Sequence, residues 1–463
     1  MKQIGKGILI TAGFLLLSIL IVNYIGPMGR KAVSESYQKQ IRETEFLSDT
    51  AGSERVLCVD DNEAAMLWRL RMIGAAKNRI VLSTFDLRTD ENGTIILAAL
   101  YDAAERGVEV KVLIDGVYQP LFLQNEERFD TFSQHENIEV RFYNPISFRN
   151  SYRLNYRMHD KYLMIDKRMY MLGGRNTNDI FLGAHTKGIN EDRDILVYAT
   201  KAGEGESFQQ LEQYFQKIWT ESCCKPYHAK ATKRGGEQLK AAFQEAQKRY
   251  PDIGDYKQWI EVTKETNKIT LLANETTPGL KAPQVLYALG QLAKDSRNVW
   301  IQTPYVICDE YMYSVLENMT EDAQVHVILN AVERGSNPWG CTDYQNNKDK
   351  ILDTGVTVYE LMNPHAVHTK TILIDERISV VGSYNLDRRS TYLDTELMLV
   401  IDSEELNTHI KKQIDTYVTK SKMVCADGTT TYGLEYAPRE LSESKERMYQ
   451  MLRILIRGCR HLL

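Results

Sequence analysis

Residues 159–176 read HDKYLMIDKRMYMLGGRN, and residues 368–385 read HTKTILIDERISVVGSYN. In each, a short apolar run (residues 162–165 and 371–374) marks a buried strand. Side chains two apart on extended backbone point the same way. His159 therefore shares a face with Lys161, and His368 with Lys370. After Asp166 and Asp375 come a turn, a second apolar strand, and Gly173-Gly174 or Gly382-Ser383. Asn176 and Asn385 each lie ten residues past their Asp. One His-x-Lys-x-x-x-x-Asp is a weak signal, and its histidine is more often an ordinary, partly buried one. Two copies with the same downstream spacing, at matching places in a repeat, argue for chemistry.

Working outward, the chain reads as one unit written twice. Strands at 78–86, 108–114 and 138–143 and a helix at 93–106 precede the first motif. Strands at 299–305, 325–329 and 356–361 and a helix at 311–319 precede the second. Asn144-Pro145 recurs as Asn363-Pro364, an offset of 219 residues. Strands alternating with helices predict an α/β fold of two repeated sandwich halves with mixed sheets, the active site lying between them. An amphipathic helix closes each half, at 207–220 and 404–418. The expected division is an anchor (1–30), a polar tether (31–54), a first half (55–221), a connecting region (222–262), a second half (263–420) and a tail (421–463).

Composition narrows the classes. A net charge of −5 gives no global basic field, so nucleic acid is not an expected partner. The seven cysteines show no paired zinc spacing, and no metal or other cofactor is expected. Residues 8–25, ILITAGFLLLSILIVNYI, carry no charge over a length near that of a membrane-crossing helix. They predict a single-pass N-terminal anchor in preference to a cleaved signal peptide. Basic residues flank both ends, so the sidedness of the catalytic part stays open.

Phosphodiester cleavage needs a nucleophile at phosphorus, an acid for the leaving oxygen, and positive charge near the non-bridging oxygens. Two motifs face to face supply two imidazoles and two ammonium groups, so no metal is required.

At these residues the sequence resembles the phospholipase D superfamily, and within it the bacterial cardiolipin synthases of the C type. The likeness is carried by residues 368–402, by YNPISF at 143–148, and by 155–181. The resemblance implies phosphatidyl transfer through a phosphohistidine, with His159, Lys161, Asp166, His368, Lys370 and Asp375 as the catalytic set. By that analogy His159 attacks, and His368 serves first as acid and then as base. Lys161, Lys370, Asn176, Asn385 and Ser383 would contact the phosphate, and Asp166 and Asp375 would hold local structure. Glu396, and more loosely Asp194, match the family's histidine-orienting carboxylate. Gly174 departs from the serine that many members carry, so a hydroxyl contact to phosphate is expected to be missing there. The implied partners are membrane phospholipids of the bacterial cell membrane, phosphatidylglycerol first and phosphatidylethanolamine second. Oligomerisation is not required, because both motifs lie in one chain. The acceptor stays open between a lipid alcohol and water, and hydrolysis or a nuclease activity would use the same residues.

Two features are not shared between the halves. The first spaces its Asn-Pro ten residues farther from its histidine than the second, over a stretch that contains SFRNSYRLNYR (147–157), where Phe148, Tyr152 and Tyr156 interleave with Arg149, Arg153 and Arg157. Arginines suit phosphate and tyrosines suit a membrane interface. The tail, 444–463, places Met448, Leu452, Leu455, Cys459 and Leu462 at helical spacing among basic residues. Such a helix suits an anionic membrane surface or a docking place on the protein.

Overall fold

The computed structural model describes residues 16–117, 119–184, 188–227, 229, 232–254 and 259–463. Its first half carries strands β1 (Glu54–Val59), β2 (Arg79–Thr84), β3 (Glu109–Asp115), β4 (Ile138–Tyr143), β5 (Tyr162–Ile165), β6 (Met169–Gly173), β7 (Asn190–Glu191), β8 (Asp194–Ala199), β9 (Lys225–Pro226) and β10 (Lys264–Glu265). The second carries β11 (Lys268–Ala273), β12 (Asn298–Gln302), β13 (Val306–Ile307), β14 (Gln324–Asn330), β15 (Thr357–Leu361) and β16 (Ala366–Val367). It continues with β17 (Thr371–Ile374), β18 (Ile378–Gly382), β19 (Leu386–Asp387), β20 (Leu397–Asp402), β21 (Ser421–Val424) and β22 (Thr430–Tyr432).

The two large sheets run β10-β1-β8-β6-β5-β2-β3-β4-β9 and β11-β20-β18-β17-β12-β14-β15-β21-β22. Eight consecutive strands, from β1 to β9 in the first order and from β11 to β21 in the second, therefore correspond one to one. In both, the pairs equivalent to β2–β3 and β3–β4 are parallel and the rest of the shared core is antiparallel, which makes each sheet mixed. The parallel strands β2 and β3 are joined through the helix Glu91–Glu105, as a parallel connection demands. The antiparallel hairpins β5–β6 and β17–β18 close through tight turns in which Asp166, Lys167 and Asp375 take positive φ values of 50°, 55° and 49°.

Both faces of each sheet are covered, and so β5, β6, β17 and β18 are buried at every position instead of alternating. Outer helices, among them Asn62–Ala75 and Glu91–Glu105, pack on the first sheet. The inner faces meet in a common core that includes Tyr162, Leu172, Leu373 and Val381. The helices Glu206–Trp219 and Glu404–Thr419 add Phe215, Ile218, Ile410 and Ile414 to that same core. Each closing helix is thus mortar between the halves, and Leu271 of β11 donates its amide to Gln210 Oε1 at 2.7 Å.

Several expected linkers are structured. The segment read as a tether contains the helix Glu35–Glu43, which buries Ile41 in the second half's core. The connecting region holds the helix Lys233–Arg249, running straight through Gly235-Gly236. A Cβ at Gly235 would lie 2.2 Å from Thr131 Oγ1 and 2.6 Å from the Glu127 carbonyl, so glycine there lets two helices touch. The second sheet also extends past residue 420, because β21 pairs with β15 and β22 with β21.

Residues 1–15 of the expected anchor lie outside the described residues. Residues 16–25 are helical, and Leu16, Leu17, Leu20, Ile21, Val22 and Ile25 on it are exposed. Among the described residues, no helix is long and apolar enough to cross a membrane.

Candidate active site

The histidines sit just ahead of their hairpins, not within them. Met158 forms an isolated parallel bridge with Thr395 of the other half, and His159 donates its backbone amide to Thr395 Oγ1 at 3.2 Å. β16 pairs with β7 across the halves, and the His368 amide donates to the Glu191 carbonyl at 2.7 Å. Each imidazole is therefore fixed by backbone from the opposite half.

The carboxylates are exchanged in the same way. His159 Nδ1 lies 2.9 Å from Glu396 Oε1, and His368 Nδ1 lies 2.7 Å from Asp192 Oδ2. Donating Nδ1–H to a carboxylate leaves the Nε2 lone pair for chemistry, the tautomer being fixed by the partner. Lys161 Nζ bonds the His159 carbonyl at 2.5 Å, and Lys370 Nζ lies 3.0 Å from His368 Nε2. Both lysines and both histidines are buried or nearly so. The two motifs share one field: Lys370 acts on His159, and Lys161 on His368.

Asp192, not Asp194, is thus the first half's orienting carboxylate. Sheet register shows why. Gly173 of β6 stands opposite Asp194, whereas Gly382 of β18 stands opposite Met398. Asp194 corresponds to Met398, and Asp192 to Glu396. Asp194 instead binds two buried guanidinium groups, Arg69 at 2.9 Å and Arg175 at 3.2 Å.

The Gly174/Ser383 difference follows from the same exchange. The Ser383 hydroxyl donates to Glu396 Oε2, with Ser390 donating to Oε1 at 2.6 Å. It holds the carboxylate, so the phosphate contact expected of it is replaced by a positioning contact. In the first half a Cβ at residue 174 would fall 2.4 Å from Asp192 Oδ1. The shorter aspartate occupies that space, and only glycine leaves room for it.

Asp166 and Asp375 lie at the turn end of their hairpins, away from the chemistry. Asp166 accepts from the amides of Lys77, Asn78 and Arg79 at 2.6, 2.8 and 2.8 Å. Asp375 accepts from Arg297 and Asn298 at 2.9 and 3.0 Å. They pin each turn to the start of the neighbouring strand in the sheet, β2 or β12. Asn176 Oδ1 accepts from the Asp86 amide at 3.3 Å, and Asn385 Oδ1 is buried with no hydrogen-bond partner among the described residues.

Electrostatically the two halves differ. Burial, reinforced by Lys161, holds His159 well below the usual imidazole range. Burial and then Lys370 push His368 down to about 3, with Asp192 opposing them. Burial pushes Glu396 up to about 8, against the pull of Lys161 and the two serines. Burial would raise Asp192 too, but Lys370 and His368 outweigh it, and its carboxyl is held well below the ordinary range. Burial lowers Lys161 to about 7 and Lys370 to about 8. One histidine accordingly faces an ionised carboxylate and the other a carboxyl inclined to keep its proton.

Two aromatic neighbours escaped the sequence reading. Phe85 meets His159 edge-on at 5.0 Å between ring centres, and Phe181 meets His368 at the same distance. Each follows a strand or turn with no periodic signature. The arginine-tyrosine insertion is mixed in role: Arg157 is buried and bonds Asp115 at 3.2 Å and the Asn144 carbonyl at 2.7 Å, whereas Tyr152 is exposed. The side chains of Phe148 and Arg149 are outside the described residues. Among the described residues one trio of metal-ligand type, Cys58, Asp60 and His409, comes together. Arg193 Nε already bonds Asp60 at 2.7 Å, and a cation there would sit beside a guanidinium.

Comparison with known proteins agrees with the repeat. A family model described as "Cardiolipin synthase, PLD-like domain" matches residues 70–219 and 289–418, more than half of the chain. The cardiolipin synthase C of Escherichia coli K12 is 25% identical over 392 residues, covering 74% of this chain and 80% of its own. An uncharacterized protein of Helicobacter pylori is 23% identical over 421 residues, with 81% and 82% covered. The crystal structure of a phosphatidylserine synthase from Haemophilus influenzae Rd KW20 superposes with a TM-score of 0.65 at 16% identity, over 93% of this chain and 99% of that one. At that identity the likeness speaks for the fold.

Proposed function

The chain belongs to the phospholipase D-like family of the cardiolipin synthases, and from that premise we propose that it is a membrane-bound phosphatidyltransferase making cardiolipin from phosphatidylglycerol. The observation that carries this reading is the exchanged pair of dyads, His159–Glu396 and His368–Asp192, each assembled from both halves.

In the first step the His159 Nε2 lone pair forms a bond to phosphorus as the bond from phosphorus to the departing glycerol oxygen breaks. The proton on His368 Nε2 goes to that oxygen. In the second step the hydroxyl of another phosphatidylglycerol gives its proton back to His368. Its oxygen bonds to phosphorus, and the P–N bond breaks to restore His159. Lys161 and Lys370 offset charge on the non-bridging oxygens, and charge stabilisation in a dry site is worth more than in water. The electrostatic difference supports this division of labour. An attacking imidazole must be neutral, and burial together with Lys161 holds His159 well below the usual imidazole range. A proton-carrying imidazole needs a negative partner, and Asp192 is ionised. Entry of a phosphodiester anion raises His368 and so favours its proton-carrying form.

The test gives the purified chain labelled phosphatidylglycerol, alone and with phosphatidylethanolamine, and follows products by mass spectrometry. Cardiolipin with free glycerol supports transfer, and ethanolamine release marks phosphatidylethanolamine as a second donor. Phosphatidic acid as the only lipid product would overturn the synthase reading in favour of hydrolysis.

A further inference from the structure

Three exposed apolar segments, far apart in sequence, are joined by hydrogen bonds through Asn23 and Tyr24. The helix Glu443–Cys459 docks by one face, burying Tyr449 and Ile456. Arg453 Nε bonds Asn346 at 2.9 Å, and Arg460, in the turn that follows, bonds Asp343 at 2.7 Å. Its opposite face presents Met451, Ile454 and Leu455, which are 65%, 74% and 61% exposed at the i, i+3, i+4 spacing of one stripe. Arg447 and Arg457, also exposed, flank it.

Gly458 continues that face, and its carbonyl accepts a hydrogen bond from Tyr24 Oη at 2.5 Å. The Tyr24 ring meets His461 edge-on at 4.6 Å. Tyr24 ends the exposed apolar helix at 16–25, whose chain runs back through the uncharged residues ILITAGFL at 8–15. The neighbouring Asn23 fastens the third segment. Its Nδ2 donates to the Ser151 carbonyl at 2.6 Å, its Oδ1 accepts from the Leu154 amide at 3.1 Å, and its carbonyl accepts from Asn155 Nδ2 at 2.7 Å. Tyr152 and Leu154 of that segment are exposed. Arg389 ties the assembly to the site: it donates to the carbonyls of Asn155 and Leu462 at 2.8 and 3.1 Å and binds Asp394, two residues before Glu396.

We propose that the stripe Met451–Ile454–Leu455 and the Tyr152–Leu154 turn form one lipid-facing surface around the foot of the N-terminal helix, seating the mouth of the site against an anionic bilayer. A free apolar stripe of this kind ordinarily needs a partner. The continuity with an uncharged helix and the flanking arginines make that partner a lipid surface rather than a protein. The inference rests on the lipid-substrate reading only for the purpose of the surface.

The experiment uses the full chain. Ile454→Glu with Leu455→Glu is compared with the parent on phosphatidylglycerol vesicles and on monomeric short-chain phosphatidylglycerol. Separately, Ile454→Trp is reconstituted with vesicles of phosphatidylglycerol and phosphatidylcholine carrying brominated acyl chains. The double variant should lose at least tenfold in turnover on vesicles and stay within about twofold on monomers. The fluorescence of the introduced indole should be quenched beyond that of the parent's own tryptophans. Equal loss on both substrates, no loss on vesicles, or no added quenching in Ile454→Trp overturns the docking surface. A parent that turns over neither lipid overturns the transferase reading, and quenching then still decides the surface by itself.

Discussion

Replacing Asp192 by Asn removes the carboxylate partner of His368 while keeping the side chain's size. Asp192 Oδ2 lies 2.7 Å from His368 Nδ1 and 3.9 Å from Lys370 Nζ. A hydrogen bond to a charged group contributes about 1.5–3 kcal/mol. At about 1.4 kcal/mol per factor of ten, kcat/KM on phosphatidylglycerol should fall roughly 10- to 150-fold. The pH profile gives a second readout. Asp192's folded pKa is depressed, so the stability it contributes is present above the unfolded value near 4 and lost only as pH falls through the depressed one. Between pH 5 and 8 it therefore stays charged and does not itself titrate. Burial and Lys370 lower His368, with Asp192 opposing them, so Asp192→Asn lowers it further. The alkaline limb of the activity profile should move to lower pH. Asp194→Asn is the control: it leaves Arg69 and Arg175 buried without their carboxylate and should cost about 3–5 kcal/mol in urea unfolding without moving that limb. Parental activity and an unmoved profile in Asp192→Asn would refute the assignment of His368's partner.

Other substitutions probe the rest of the site. His159→Ala and His368→Ala should each abolish turnover in the lipid assay, and substantial activity left in both would rule out a shared site. Glu396→Gln tests the buried carboxyl. Its pKa is raised to about 8, chiefly by burial, so the stability it contributes is full below the unfolded value near 4.3 and lost as pH rises through 8. The variant's Tm should gain on the parent's as pH increases, and a pH-independent difference would contradict the shift. Gly174→Ser puts a Cβ 2.4 Å from Asp192 Oδ1 and should cut activity at least tenfold with little change in Tm, whereas full activity would show that Asp192 can move freely. Activity should survive a chelator, because lysines supply the positive charge; loss on adding EDTA that is restored by a divalent ion would count against the mechanism.

The hairpins and the repeat were legible because local pattern alone decides them: the runs at 162–165 and 371–374 become β5 and β17, and the strand expected at 138–143 is β4. Asp192 was not legible. The connection from Gly173 to its partner Asp194 is five residues longer than that from Gly382 to Met398. The apolar runs begin at Ile195 and Leu397, so the residue just before each is Asp194 or Glu396, and only hydrogen-bonded register shows that these two are not equivalent. The exchange of carboxylates is likewise a long-range fact, set by how two sheets meet. The helix Glu35–Glu43 looked like a tether because its sequence is mostly polar, and it gains order by burying Ile41 in a distant core. In Arg157 the alternation of basic and aromatic residues was visible, but its burial against Asp115 was not.

The crossing of each dyad between halves also governs when the protein can act. A chain in which only one half has folded leaves each histidine without its carboxylate partner, so the proposed chemistry requires both halves in place. The dyads are complete only when the two sheets meet, in the central core to which the helices Glu206–Trp219 and Glu404–Thr419 also contribute. Loss of activity on mild heating or in low denaturant should then report the parting of the two sheets, ahead of any melting within them.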